Sequence, residues 1–205
     1  MTFMIKNFTL LIFLSLSSCS YISYNQAIPL LKNAIVGAED INVDEEYINS
    51  RKYSFMKIKI GRSAVSVLSL ASIDADGLYK WVNSSGESIY TFNGKIVKTT
   101  SIVHDLQLYN YDDFKLSLVN PVIQTSYDTF VYNPLGFVTQ EASIKPDESL
   151  KQNGIIIFTE KIISKGFSWK FTNEYYLDTK LNRVVKSKQF IHPKYPEIEI
   201  DFYYK

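Results

Sequence analysis

The sequence predicts a mainly β protein, in which an antiparallel meander forms a barrel-like or sandwich sheet and a short helix precedes it. Short runs rich in β-branched and aromatic residues recur from residue 52 to the C-terminus, and aromatic residues make up 15% of the chain. Such residues fit strands better than helices. Turn residues rather than helices join the runs, so about ten consecutive strands should pair antiparallel. Several runs alternate apolar and polar residues, so one face of the sheet should be buried.

The N-terminal part of the chain is expected to hold a tether and one short helix. Asn25 can cap this helix, the apolar residues Ile28, Leu31 and Ile35 share one face, and Gly37 can end it. The acidic segment 40–46 is predicted to be a surface loop. We therefore divide the chain into residues 1–18, a tether and helix over 19–48, and a single β domain over 49–205.

The clearest local unit is a hairpin around Asn93-Gly94. Two short β-rich runs flank this dipeptide, and both of its residues tolerate the positive φ of a type I′ turn. The predicted strands of this half of the domain are Phe55–Ile60, Val65–Ile73, Leu78–Val82, Ser88–Phe92 and Lys95–Thr99.

The second half of the domain also reads as strands, after a segment over residues 104–125 that has no clear period. Within that segment we expect a loop at 109–113 and a short helical turn capped by Asp112 or Asp113. Pro146 is expected to end a strand, because proline has no N–H to donate. The predicted strands are Tyr127–Tyr132, Phe137–Ile144, Ile155–Ser164, Phe167–Leu177, Arg183–Ile191 and Ile198–Tyr203.

Residues 1–18 have the pattern of a lipoprotein signal peptide. Lys6 precedes a short apolar run, and Leu16-Ser17-Ser18-Cys19 resembles a lipobox, in which cleavage follows Ser18 and Cys19 carries the lipid. The apolar run is too short for a spanning helix, which needs roughly 20 residues. Cys19 is the only cysteine, so no disulfide can form within the chain. Ser20 stands where an aspartate would retain a lipoprotein in the inner membrane, which favours the outer membrane.

The charge balance argues against nucleic acid as a partner. The chain has 22 basic and 21 acidic residues, and loss of Lys6 with the signal peptide leaves the remainder neutral. The sequence contains no basic block, so we expect no nucleic-acid binding.

The segment Lys80–Thr100 resembles a signature of the group 4 capsule polysaccharide lipoprotein family (YjbF/GfcB type). It contains a strand with Trp81, a glycine turn, a second strand, and then Asn93-Gly94-Lys95-Ile96-Val97-Lys98-Thr99. The lipobox, Gly61-Arg62 and the run Val67–Ala71 agree with that family as well. The resemblance implies an outer-membrane lipoprotein that is encoded with exopolysaccharide or capsule export machinery. It implies no catalytic residues.

The residue inventory indicates neither catalysis nor a metal site. The only histidines are His104 and His192, and no nucleophile elbow or metal-ligand spacing accompanies them. Glu160 and Glu174 lie in predicted strands and could meet across a hairpin as a glycosidase pair. We favour the alternative that both are solvated on the outer face of the sheet.

Three aromatic residues are candidates for an interaction site. Trp81, Tyr90 and Trp169 can stack on sugar rings, but such residues are at least as often part of a core. The sequence leaves both alternatives open.

The favoured function is that of an outer-membrane lipoprotein on the periplasmic face, a non-enzymatic accessory factor in exopolysaccharide or capsule export. Its expected partners are the membrane, through the lipid on Cys19, and other envelope proteins of export, with direct contact to the polysaccharide left open. No cofactor is expected beyond the covalent lipid. One alternative is a lipid or acyl-chain carrier with a half-open barrel, which should contain a continuous apolar cavity. Another is a polysaccharide-cleaving enzyme, which needs paired acids in a cleft.

Overall fold

The computed structural model describes residues 41–102, 105–116, 122–132, 135–164, 166 and 168–205. The predicted signal peptide, Cys19 and the predicted helix over 25–37 lie outside the described residues. So do His104, Phe167 and the predicted break at Asn133-Pro134.

One short helix, α1, spans Glu45–Ser50. Asp44 caps it, because its carboxylate accepts a hydrogen bond of 2.8 Å from the backbone N–H of Tyr47. The surface loop predicted over 40–46 is therefore wrong at its C-terminal end. An aspartate followed by two glutamates in the first turn is a helix start, since acidic groups there favour the helix dipole.

Twelve strands follow among the described residues. They are β1 Phe55–Ile60, β2 Ser66–Ile73, β3 Leu78–Val82, β4 Ser88–Phe92, β5 Lys95–Thr100, β6 Leu106–Tyr109, β7 Ile123–Tyr132, β8 Leu135–Gln152, β9 Ile155–Ser164, β10 Trp169–Asp178, β11 Arg183–Gln189 and β12 Ile198–Tyr203. A 3₁₀ turn at Tyr111–Asp113 lies where the sequence predicts a helical turn.

The strands form a closed antiparallel barrel in simple meander order. Each strand pairs with the next along the chain, and β12 closes the barrel on β1 with Phe55 opposite Tyr203 and Ile60 opposite Ile198. The predicted mainly β fold is confirmed. The sequence left open whether the sheet forms a sandwich or a barrel, and the structure is a barrel. Closure removes the unpaired edges that an open sheet would expose.

The predicted Asn93-Gly94 hairpin is present, and it reaches across the barrel. Asn93 has φ 48° and Gly94 has φ 81°, both positive as a type I′ turn requires. A Cβ on Gly94 would lie 2.5 Å from Cγ1 of Val184. Val184 belongs to β11, which lies diametrically opposite β5 in the strand order. Opposite walls therefore meet at this end of the barrel, which we call the hairpin end.

Two strands differ from the sequence prediction. β6 lies within the segment that showed no period, and it has only four residues. β8 continues through Pro146 instead of ending there. On the side that the structure describes, β8 pairs with β9 at Pro146, with Phe158 opposite the proline. The strand end predicted at Pro146 is therefore wrong.

Candidate functional site

A buried ion pair lies inside the barrel. The Lys95 ammonium donates hydrogen bonds of 2.8 Å to both carboxylate oxygens of Glu160. The side chains are 4% and 0% exposed, respectively. Lys95 Nζ also lies 4.5 Å from the ring centroid of Tyr127 and 5.3 Å from that of Phe114. The ammonium is thus held between a carboxylate and two aromatic rings.

Neighbouring polar groups complete the coordination of the Glu160 carboxylate. Oε2 accepts hydrogen bonds from the hydroxyl of Tyr175 at 2.8 Å and from the amide of Asn173 at 3.1 Å. Asn173 in turn accepts from the backbone N–H of Phe190 at 2.8 Å. This satisfies the buried charge, which would otherwise be very unfavourable in the interior.

The burial of these groups sets their protonation. Burial lowers the pKa of Lys95, while the Glu160 carboxylate opposes that change. Burial raises the pKa of Tyr175 well above its ordinary value, and the adjacent Glu160 raises it further. Tyr175 is therefore a neutral donor to the carboxylate.

A second polar contact joins opposite walls of the barrel. The Gln189 amide donates to the carbonyl oxygen of Gly94 at 2.8 Å and accepts from the backbone N–H of Ile96 at 2.9 Å. It also donates to the Ser187 hydroxyl at 2.8 Å. These bonds fix β5 against β11 across the interior.

The expected location of Glu160 is wrong. It lies inside the barrel and is fully buried, whereas Glu174 faces the outside and accepts a hydrogen bond from the Tyr176 hydroxyl at 2.8 Å. Asn173 is the cross-strand partner of Glu160, so adjacent Glu174 points to the opposite face. The two carboxylates therefore do not form a glycosidase pair.

Trp81 is part of the core. It is 0% exposed, and its indole Nε1 donates to the hydroxyl of Thr91 at 2.8 Å. Its ring stacks on Tyr79, with centroids 5.9 Å apart. A sugar ring has no access to Trp81, so this candidate interaction residue is corrected to a core residue.

Tyr90 lies on the outer face between two lysines. It pairs across the strands with Lys80 on one side and Lys98 on the other. Their ammonium groups lie 5.7 and 5.3 Å from its ring centroid. The role of Tyr90 in an interaction stays a prediction. The structure adds that the Tyr90 ring lies next to two positive charges.

Trp169 begins β10 at the barrel end opposite the hairpin end, and it is partly exposed. Its ring meets the ring of His192 edge-on at 5.6 Å and lies 6.3 Å from Phe171. His192 is 2% exposed and accepts a hydrogen bond from the backbone N–H of Lys194 through Nδ1 at 3.0 Å. Trp169 and His192 thus form part of the packing at that end, and the interaction proposed for Trp169 stays a prediction.

A pocket of about 240 Å³ opens at the hairpin end, and we call it the end pocket. The turns after β4 and β10, the start of β3, residues 115–116 and the C-terminal segment form its walls. Its polar and aromatic lining includes Tyr79, Asn93, Lys115, Asn182, Arg183 and Tyr204. Sequence reasoning missed this pocket, because its residues are far apart in the chain.

Sequence reasoning also missed the buried pair, although one signal was present. Glu160 shares its face of β9 with Ile156, Phe158 and Ile162, which are all buried. A charged residue in an otherwise apolar alternation indicates a buried charge with a partner.

In the part of the chain that is described, no group of three acidic, histidine or cysteine side chains could hold a metal ion. No helix in that part is long and apolar enough to cross a membrane.

Comparison with known proteins identifies the family. A sequence profile described as group 4 capsule polysaccharide lipoprotein gfcB, YjbF, matches residues 29–202. The chain belongs to this family. The match extends the resemblance noted for residues 80–100 to nearly the whole barrel, and it relates the chain to capsule-associated lipoproteins.

A solved structure shares the fold. The hypothetical lipoprotein YmcC from Escherichia coli K12 matches with a TM-score of 0.68 and 16% sequence identity, over 91% of this chain and 98% of that one. At this identity the likeness shows the fold alone. A search of curated protein sequences gives no match.

Proposed function

We propose that this protein is an outer-membrane lipoprotein on the periplasmic face and a non-enzymatic accessory factor in exopolysaccharide or capsule export. The family match over residues 29–202 carries this proposal. The lipobox before Cys19 supplies the anchor, and Ser20 after the cysteine favours the outer membrane. The barrel is then a domain tethered to the membrane surface, where it contacts envelope proteins of the export machinery.

The arrangement of polar groups favours a non-enzymatic role. Glu160, the most deeply buried carboxylate of the described residues, is neutralised by Lys95 and bound by Tyr175 and Asn173. It is therefore engaged within the fold and is not presented to a substrate. Glu174, the other acid of the hypothetical pair, lies on the opposite face of the sheet.

The alternative of a lipid or acyl-chain carrier is not favoured. A carrier needs a continuous apolar cavity in the barrel, and here a buried ion pair and the contact between Gly94 and Val184 cross the interior. An acyl chain in that space would have to displace paired charges, which is unfavourable.

Cys19 is the proposed site of lipid attachment, with cleavage after Ser18. We expect the mature protein to carry an acylated Cys19 as its first residue and to fractionate with the outer membrane. Cys19→Ser should accumulate as the unprocessed, unacylated precursor. Intact mass spectrometry and membrane fractionation test this, and a mature protein with a free Cys19 thiol would contradict it.

The role in export is tested by gene deletion and complementation. Deletion should lower the amount of exported polysaccharide, and the wild-type gene should restore it. Glu174→Gln and His192→Gln should also restore export, provided that immunoblots show normal protein levels. Tyr90→Ala should restore export less well, because Tyr90 lies on the outer face of the barrel and is the proposed contact with a partner. Loss of export with Glu174→Gln in a folded, localised protein would favour an enzyme.

A further inference from the structure

We propose that the end pocket binds one acidic sugar unit, a hexuronate, of an anionic polysaccharide. This inference deepens the proposed function and rests on it. It is carried by the residues that converge at the hairpin end, which combine cations, carboxamides and an aromatic wall in one concave site.

The charge of the pocket selects an anion. Arg183 and Lys115 both line it, and the residues that line it include no carboxylate. Within the described part of the chain, neither cation forms an ion pair. Asp178, at the start of the adjacent turn, directs its carboxylate to the backbone N–H groups of Lys180 and Leu181 at 2.8 and 3.1 Å. Two cations are thus left available for a ligand carboxylate.

The remaining lining suits a sugar ring. Asn182 and Asn93 line the pocket with side-chain amides, and the Asn93 amide is held in place because its nitrogen donates to the carbonyl oxygen of Phe114 at 3.1 Å. Amides both donate and accept, as ring hydroxyls require. Tyr79 and Tyr204 form an aromatic wall, with centroids 6.2 Å apart.

The wall is preorganised. The Tyr204 hydroxyl donates to the carbonyl oxygen of Val184 at 3.0 Å, and the Arg183 guanidinium carbon lies 5.1 Å from the Tyr204 ring centroid. Burial raises the pKa of Tyr204, so its phenol is neutral and does not compete with an anionic ligand. The cation and its aromatic support are therefore in place before a ligand arrives.

The size of the pocket limits the ligand to one ring. Its volume of about 240 Å³ lies below the range of about 300–1,000 Å³ that is typical of sites for drug-sized ligands. An oligosaccharide would place one unit in the pocket and extend the rest into solvent. We therefore expect weak binding by a single unit, and stronger binding by a polymer that reaches several copies of the lipoprotein on one membrane.

A matched pair of probes tests the charge requirement. Methyl glucuronide and methyl glucoside differ only in a carboxylate that replaces a hydroxymethyl group. We expect the purified mature lipoprotein, in detergent micelles, to bind the glucuronide about tenfold more tightly, since a charge-assisted hydrogen bond is stronger than a neutral one. Isothermal titration calorimetry and ligand-observed NMR measure this, and added salt should weaken the difference.

Variants assign the binding to the end pocket. Arg183→Gln and Lys115→Gln should each weaken glucuronide binding by about tenfold. Arg62→Gln removes the same charge in the turn after β1 at the opposite barrel end, and it should bind like wild type. Glycine tolerates the φ of 50° found at residue 182, so Asn182→Gly removes only the side-chain amide. It should weaken both sugars equally.

Several results would overturn the proposal. Equal affinity for the two sugars would show that the pocket does not select the carboxylate, and unchanged binding by Arg183→Gln would place binding elsewhere. Equal displacement by inorganic phosphate would mean a general anion site, and competition by phosphatidylglycerol vesicles would mean a lipid headgroup. If deletion impairs export but Arg183→Gln with Lys115→Gln restores it fully, the pocket assignment fails while the accessory function stands. If deletion leaves export normal, the accessory function fails whatever the pocket binds.

Discussion

The buried pair between Lys95 and Glu160 allows a quantitative test of the barrel interior. Glu160→Gln keeps the shape of the side chain and removes its charge, so the Lys95 ammonium loses the carboxylate that holds it by two hydrogen bonds of 2.8 Å. Removing one partner of a buried ion pair costs about 3–5 kcal/mol. Because the free energy of unfolding of a domain is about 5–15 kcal/mol, this change should remove a large share of the stability.

The reverse single variant and the double variant complete a thermodynamic cycle. Lys95→Met leaves the Glu160 carboxylate buried and should cost a similar amount. Lys95→Met with Glu160→Leu removes both charges, but the donors of Asn173 and Tyr175 lose their acceptor, at about 1–3 kcal/mol each. The gain from removing two buried charges offsets part of this loss. The double variant should therefore be less destabilised than the sum of the single variants by about 3 kcal/mol.

Urea unfolding monitored by tryptophan fluorescence measures the cycle, because Trp81 is fully buried and should report the loss of the core. Glu174→Gln is the matched control, since it makes the same substitution on the outer face and should cost within about 1 kcal/mol. Additive single variants, or a Glu160→Gln variant as stable as this control, would refute the reasoning. Either result would mean that the two charges do not pair in the folded protein.

Three further predictions concern the hairpin, the core and the tyrosines. Gly94→Ala should lower the free energy of unfolding by about 2–4 kcal/mol in urea titrations, because its φ is 81° and the new Cβ would approach Val184; wild-type stability would contradict the close packing. Thr91→Val should cost about 1–3 kcal/mol in the same assay, since it leaves the Trp81 indole N–H without its acceptor; a neutral effect would mean that water replaces the hydroxyl. Burial raises the pKa of Tyr175 in the folded state, so the stabilisation from its neutral form is complete below about pH 10 and is lost as the pH rises further. Tyrosinate absorbance and circular dichroism should therefore change together above that pH, and smooth ionisation of every tyrosine with an unchanged fold would argue against the buried network.

The sequence predicts those parts of the fold that depend on local chemistry. Strands β1, β3 and β4 have the predicted bounds. The Asn93-Gly94 turn was also predictable, because few dipeptides adopt two consecutive positive φ values at low cost. Such signals act over a few residues, so a single sequence contains all the information needed to recognise them.

The sequence does not predict contacts that join distant segments. Lys95 and Glu160 are separated by 65 residues, and only the closed barrel brings them together. The assumption that strand carboxylates face water is sound for Glu174 and wrong for Glu160, because Lys95 on β5, four strands away around the barrel, makes burial possible.

The residues that stabilise the barrel interior differ from the charged residues that line the end pocket, and this difference is relevant to function. The Glu160 network and the Gly94–Val184 contact link strands that are far apart around the barrel, so substitutions there should act on stability. Arg183 and Lys115 lie outside that network, on exposed segments next to turns, so their charges can change without disturbing the walls. A barrel that carried a lipid inside would need a different arrangement, with a continuous apolar cavity in the interior that is open to the lipid at one end. The distribution of paired and unpaired charges therefore favours ligand recognition at the end of the barrel over storage within it.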